Sequence, residues 1–151
     1  MASDESNKTG GIPVFGTRLA GCVYMRRPSA YALIRNSSGE WAVVRTPHGC
    51  FLPGGGKEAG ETAQKTVERE AREECGFILK PRGLVACAIQ FVYSTEEKKH
   101  FEKICEFVEA DLEGTEAPLE PDHELVWLSH DQAQASLSHE SHRWAVSLLA
   151  R

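Results

Sequence analysis

A chain of 151 residues, 41% hydrophobic and 26% charged, has the length of one domain with a full core and the balance of a soluble globular protein. A net charge of −5 speaks against gripping long nucleic acid by its phosphates, and fits a small anionic ligand met by metal and a few local cations. The N-terminal MASDESNKTGG has no apolar core, no apolar run nears the length of a membrane-spanning helix, and the five cysteines are scattered without a CxxC pair; this excludes a signal peptide and a membrane span and points to free thiols in a reducing cytoplasm.

Residues 1–12 are polar and read as a flexible segment ahead of a single domain over 13–151. Leu19–Met25 reads as a first strand that Arg26-Arg27-Pro28 breaks. Tyr31–Ile34 and Trp41–Val44 are short β-rich runs, and the Asn36-Ser37-Ser38-Gly39 turn chemistry between them predicts a hairpin. Cys50–Leu52 leads into Pro53 and Gly54-Gly55-Gly56. A helix is predicted over 62–75, with Gly76 where a left-handed C-cap belongs. Residues 84–93 and 101–112 should pair as strands across a charged turn. After an acidic loop over 114–123, Leu125–Leu128 is a further strand, and Ser129 starts a helix in two pieces ending at 141–149. Strands on both sides of one central helix, followed by a terminal helix, give an α+β layered domain.

The central helix is unusual in its charges. At about 100° per residue, Ala63, Val67, Ala71 and Cys75 form a narrow apolar stripe, with Glu74 projecting inside it and Glu70 and Glu73 beside it. Lys65, Glu68, Arg69 and Arg72 fall mostly on the far side. Carboxylates at i, i+3 and i+4 repel one another, and partly buried ones need a partner. A merely solvated helix face held by i,i+4 pairs is the blander alternative. Three carboxylates with few inward cations point instead to a hard divalent ion, Mg²⁺ or Mn²⁺.

The stretch from Gly55 through Glu61, Arg69-Glu70, Glu73-Glu74 and Gly76 to Phe77 resembles the Nudix box of the Nudix (MutT-like) hydrolases. Its fixed positions are filled at the family spacing; the one soft departure is Ala71, smaller than the usual bulky residue. The flanking strand pattern extends the resemblance over roughly residues 18–150. It implies an α/β/α arrangement, a mixed curved sheet between helices, and hydrolysis of a nucleoside diphosphate linked to another group. It also implies Glu70, Glu73 and Glu74 as metal ligands, the Gly54 carbonyl as a further one, and a structural pair between Glu61 and Arg69. Gly55 and Gly56 let backbone approach metal and phosphate, and Lys57 stands where it would touch phosphate or simply be solvated. The general base in such enzymes is a box glutamate or a later acid. Glu102, Glu106, Glu120 and Glu124 are candidates, and Glu124 is favoured because it leads from the acidic loop into a strand. A homodimer is common in the family.

Other features carry less. His139 and His142, three apart on a helix, read as a solvated face rather than a metal pair. Trp41, Trp127 and Trp144 read as core rather than base-stacking rings, as do Tyr31 and Phe51. Lys98-Lys99-His100 reads as a solvated turn. Two classes of function remain: a metal-dependent pyrophosphohydrolase, which the complete glutamate set favours, and an inactive nucleotide-binding module of the same fold. Dinucleoside polyphosphates, nucleotide sugars and RNA 5′ ends stay open as substrates, because substrate contacts lie outside the box.

Overall fold

A computed structural model describes residues 11–149; the expectation for residues 1–10 of the polar N-terminal segment lies outside them. In chain order the elements are β1 (Val14–Phe15), β2 (Tyr24–Leu33), β3 (Trp41–Thr46), β4 (Gly49–Phe51), β5 (Gly54–Gly56), α1 (Ala63–Cys75), β6 (Phe77–Ser94), β7 (Lys99–Thr115), β8 (Glu124–Leu128), α2 (His130–Ser136) and α3 (Glu140–Leu148). A five-stranded mixed sheet runs β1-β6-β7-β2-β5, with β1–β6 and β2–β7 parallel and the rest antiparallel. A three-stranded antiparallel sheet runs β4-β3-β8.

Strand periodicity builds the layers. Successive side chains of a strand point to opposite faces. On β2 and its continuation, Ala30, Ala32 and Ile34 join Ala42 and Val44 under the α1 stripe of Ala63, Val67 and Ala71. Tyr31 and Leu33, with Trp41 and Val43, enter the opposite core against Ala133, Leu137, Ala145 and Val146 of the C-terminal helices and their connection. Helix, sheet and helix therefore form three layers, and small alanines on the α1 face let that helix sit close to the strands. Val67 and Ala71 are fully buried.

Three local expectations are corrected. The first long strand is Tyr24–Leu33 rather than Leu19–Met25, and it runs through Pro28 instead of breaking there. The Pro28 carbonyl accepts from the Lys57 amide just beyond the last β2–β5 pair, Ser29 with Gly56. The missing proline N–H therefore falls on the β5 side at the end of that ladder, where it leaves the pairing of β2 with β7 intact. The Asn36–Gly39 turn forms, with Asn36 Oδ1 accepting from the Ser38 and Glu40 amides, but it hands the chain from one sheet to the other through a single Arg35–Trp41 bridge. His139 and His142 are not a solvated face. His142 is fully buried beside Tyr31, its Nδ1 accepting from the Leu52 amide, and burial pushes His139 down to about 3.

Candidate active site

The glycine run is shaped by what lies over it. A Cβ on Gly54, whose φ is +154°, would come within 2.2 Å of the Ala30 carbonyl oxygen. A Cβ on Gly55 would meet the Glu70 carboxylate at 2.7 Å. The backbone of β5 is thus pressed against β2 on one side and the helix carboxylates on the other.

Helix α1 starts at Thr62, whose side chain accepts from the Lys65 amide, and ends at Gly76 in the left-handed region. Glu61 is clamped just before it by Arg69 Nε at 2.7 Å and Nη2 at 3.0 Å, by the Thr66 hydroxyl and by the Glu58 amide. The arginine contact is the main reason its carboxyl drops to about 2. The same guanidinium reaches Glu70 at 3.1 Å, Glu73 at 3.4 Å and the Gly56 carbonyl at 3.1 Å, tying loop to helix.

Glu74 is buried, and its Oε1 accepts from the Gly54 amide at 3.0 Å. Burial first, and then the neighbouring Glu70, hold its pKa well above the usual carboxylate range. Burial raises Glu70 to about 7 against the opposing pull of Arg69. The acidic loop then folds back over the helix end. The Leu119 and Glu120 amides both donate to the Glu73 carbonyl, at 2.9 and 3.1 Å, using a carbonyl that the helix leaves open. This brings Glu120 and His123 to Glu74, with one ligand atom of each lying within 4.8 Å of the others. Among the described residues, His123 Nδ1 is buried without a hydrogen-bond partner.

Of the residues singled out from the sequence, Glu70 and Glu74 meet Gly55 and Gly54, and Arg69 ties Glu61, Gly56, Glu70 and Glu73 together. Among the described residues the carboxylates of Glu70, Glu73 and Glu74 do not converge on one point, Glu73 lining an outer groove with Glu61, Glu68 and Arg72. Glu124 and Lys57 stand apart from the cluster. Glu124 is exposed and lies 3.7 Å from Arg45, and the Lys57 ammonium is paired with Glu106. Glu102 faces Arg26 at 3.7 Å. A cleft of about 330 Å³ opens from Glu74 and the glycines toward Tyr31, Phe51, Phe101, Lys103 and His139.

Residues 25–149 match the family model described as the NUDIX domain. The chain belongs to the Nudix family. Its fold is shared with a NUDIX hydrolase from Nitrosomonas europaea at 18% identity and a TM-score of 0.65, covering 82% of this chain and 87% of that one. It is also shared with a MutT NUDIX hydrolase from Burkholderia pseudomallei at 23% identity and a TM-score of 0.64, covering 83% and 99%. The dihydroneopterin triphosphate pyrophosphohydrolase of E. coli aligns at 18% identity and a TM-score of 0.65, covering 85% and 97%. No curated relative matches the sequence. Nudix enzymes in general are pyrophosphohydrolases that use divalent metals. Among the described residues, no helix is long and apolar enough to cross a membrane.

Sequence reading of this Nudix chain missed His123 and the aromatic half of the cleft. His123 had one signal, its place in an acidic loop returning to a strand. Lys103 had none, since it is one of several lysines in a charged hairpin.

Proposed function

We propose that this protein is a metal-dependent pyrophosphohydrolase acting on a nucleotide or related small diphosphate. The observation that carries the reading is a glutamate group in which Glu70 and Glu74 turn onto the glycines of β5 and Glu73 stands beside Glu70 on the Arg69 guanidinium. Two of its carboxylates have pKa values raised by burial and mutual repulsion, which leaves the group short of positive charge. The set fits Mg²⁺ or Mn²⁺ because its donors are hard oxygens; Glu120 and His123 lie within reach of Glu74. The three helix glutamates and the Gly54 carbonyl would hold the ion. When bound, such an ion neutralises phosphoryl oxygens and acidifies an attached water.

The chain's own residues do the rest. Gly55 and Gly56 leave room for phosphate against the backbone. Arg69 and Glu61 fix the loop on the helix and set where Glu70 and Glu73 point. Glu120 is the proton acceptor in this reading, in preference to Glu124, since its carboxylate shares the cluster of Glu74 and His123 while that of Glu124 is turned to Arg45. Lys57, engaged by Glu106, shapes the loop rather than meeting phosphate.

Two measurements test this. A panel of nucleoside triphosphates, dinucleoside polyphosphates and nucleotide sugars with Mg²⁺ or Mn²⁺, with products identified by mass, should give a nucleoside monophosphate and the matching phosphate product from at least one class. Calorimetric titration should show Mg²⁺ or Mn²⁺ binding that falls about tenfold or more in Glu73→Gln, the order of loss set by removing one charged ligand. No turnover of any substrate, with metal bound equally by both proteins, would sink the reading in favour of a binding module.

A further inference from the structure

The cleft has a second end that metal and phosphate do not account for. Lys103 on β7 faces into it. Its ammonium lies 3.5 Å from Tyr31 Oη and, among the described residues, forms no ion pair. An ammonium has three donors, so two are left over in a partly buried place. The nearby cation, Arg27, is already satisfied: it is held by Glu97 at 2.8 and 3.2 Å and lies 4.0 Å over the Phe101 ring. Part of the lining is aromatic, with the ion-paired Arg27 and Glu97 beside it. Phe51 and His139 sit with ring centroids 5.0 Å apart, and burial keeps the imidazole neutral.

An aromatic wall near two spare donors suits a planar heterocycle with two adjacent acceptors better than a further phosphate, whose charge would also face Glu97. A 6-oxopurine presents such a pair, O6 and N7, and a lysine can address both. A 6-aminopurine keeps N7 but turns an amino donor toward the ammonium. We propose that Lys103 is the specificity-determining residue of the cleft, selecting a 6-oxopurine nucleotide over a 6-aminopurine one, with the ring against the aromatic wall and its phosphates toward the glutamates. This rests on the nucleotide reading above and deepens it.

The test is equilibrium binding of GMP and AMP, neither of which has a diphosphate to hydrolyse, to the full chain in Mg²⁺ buffer by calorimetry. Wild type should bind GMP about tenfold tighter than AMP, within the range of one good base-edge contact. Lys103→Met should bring the two within about twofold of each other, with its melting temperature held or raised because a partly buried cation is gone. Lys103→Gln should tilt the ratio toward AMP, since a carboxamide pairs with N6 and N7 of adenine; this second variant reads the same contact if the first folds poorly. Equal affinities in wild type, binding of neither nucleotide, or an unchanged ratio in both variants would overturn the assignment. A GMP preference that depends on Lys103 in a protein that hydrolyses nothing would instead defeat the hydrolase reading and leave this one standing.

Discussion

The two ends of the cleft are built in opposite ways. The glutamate end comes mostly from one stretch, Gly54 to Gly76, in which a loop and the helix after it face each other, with Glu120 and His123 added from the acidic loop. The aromatic end draws Tyr31 from β2, Phe51 from β4, Lys103 from β7 and His139 from the start of α3. Local chain geometry fixes the first, because residues at i, i+3 and i+4 share a helix face whatever surrounds them. Only the assembled tertiary structure makes the second. On the proposed reading, chemistry common to many substrates sits on the locally determined end, and discrimination among substrates sits on the assembled one.

That contrast can be broken by mutation. The largest effect is expected from Glu74→Gln, which keeps size and hydrogen bonding and removes charge. Turnover should fall at least about 10²-fold, roughly 2.7 kcal/mol, for every substrate alike. Steady-state kinetics on two substrates differing only in the base measures this, with Glu68→Gln, on the outer side of the helix, as the control that should barely change. A loss confined to one base would merge the two ends.

The glycines sharpen it next. Gly54→Ala puts a Cβ into β2 backbone at positive φ, so unfolding in denaturant should show a loss of about 2 kcal/mol. Gly55→Ala meets only the flexible end of Glu70. It should leave stability nearly intact while weakening Mg²⁺ about tenfold, about 1.4 kcal/mol by calorimetry. Equal destabilisation by both would mean that the loop, and not the carboxylate, is what Gly55 accommodates.

The smallest effect is in pH. Glu70 and Glu74 have folded pKa values above the usual carboxylate value, so their contribution to stability is fully present below about 4.5 and is lost as pH rises toward and beyond about 7. Glu61 runs the other way, its contribution being present above about 4.5 and lost as pH falls toward about 2. Between pH 5 and 8 the metal-free protein should therefore melt progressively lower, and added Mg²⁺ should recover more at pH 8 than at pH 5. A melting temperature that rises over that interval without metal would contradict the buried glutamate cluster.

The same contrast explains what the sequence disclosed. The helix from 62 to 75, its Gly76 cap, the burial of Val67 and Ala71 and the pairing of the strands around 84–93 and 101–112 were legible because each rests on short-range periodicity or turn chemistry. Pro28 misled because its meaning depends on which side of β2 carries a partner, and that partner, β5, lies about 25 residues further on. His139 and His142 looked like a wet helix face because nothing in their spacing shows that Tyr31 and Phe51 close over them. The sequence favours Glu124 over Glu120 on proximity to a strand. What separates them is the backbone bonding of Leu119 and Glu120 to the end of α1, and no local pattern encodes it.

The parallel pairing of β2 with β7 also has a kinetic side. Tyr24 pairs with His100 and Leu33 with Glu109, so partners lie about half the chain apart. The β6–β7 hairpin closes over a short turn and can form early, as can α1, but neither has a cleft until β2 is seated between β7 and β5. Closing that long loop is the entropically slow step. Refolding followed by tryptophan fluorescence should therefore show the packing of Trp41 and Trp144 against Leu33 of β2 in the last phase. Nucleotide or metal in the buffer should slow unfolding while leaving the rate of folding nearly unchanged.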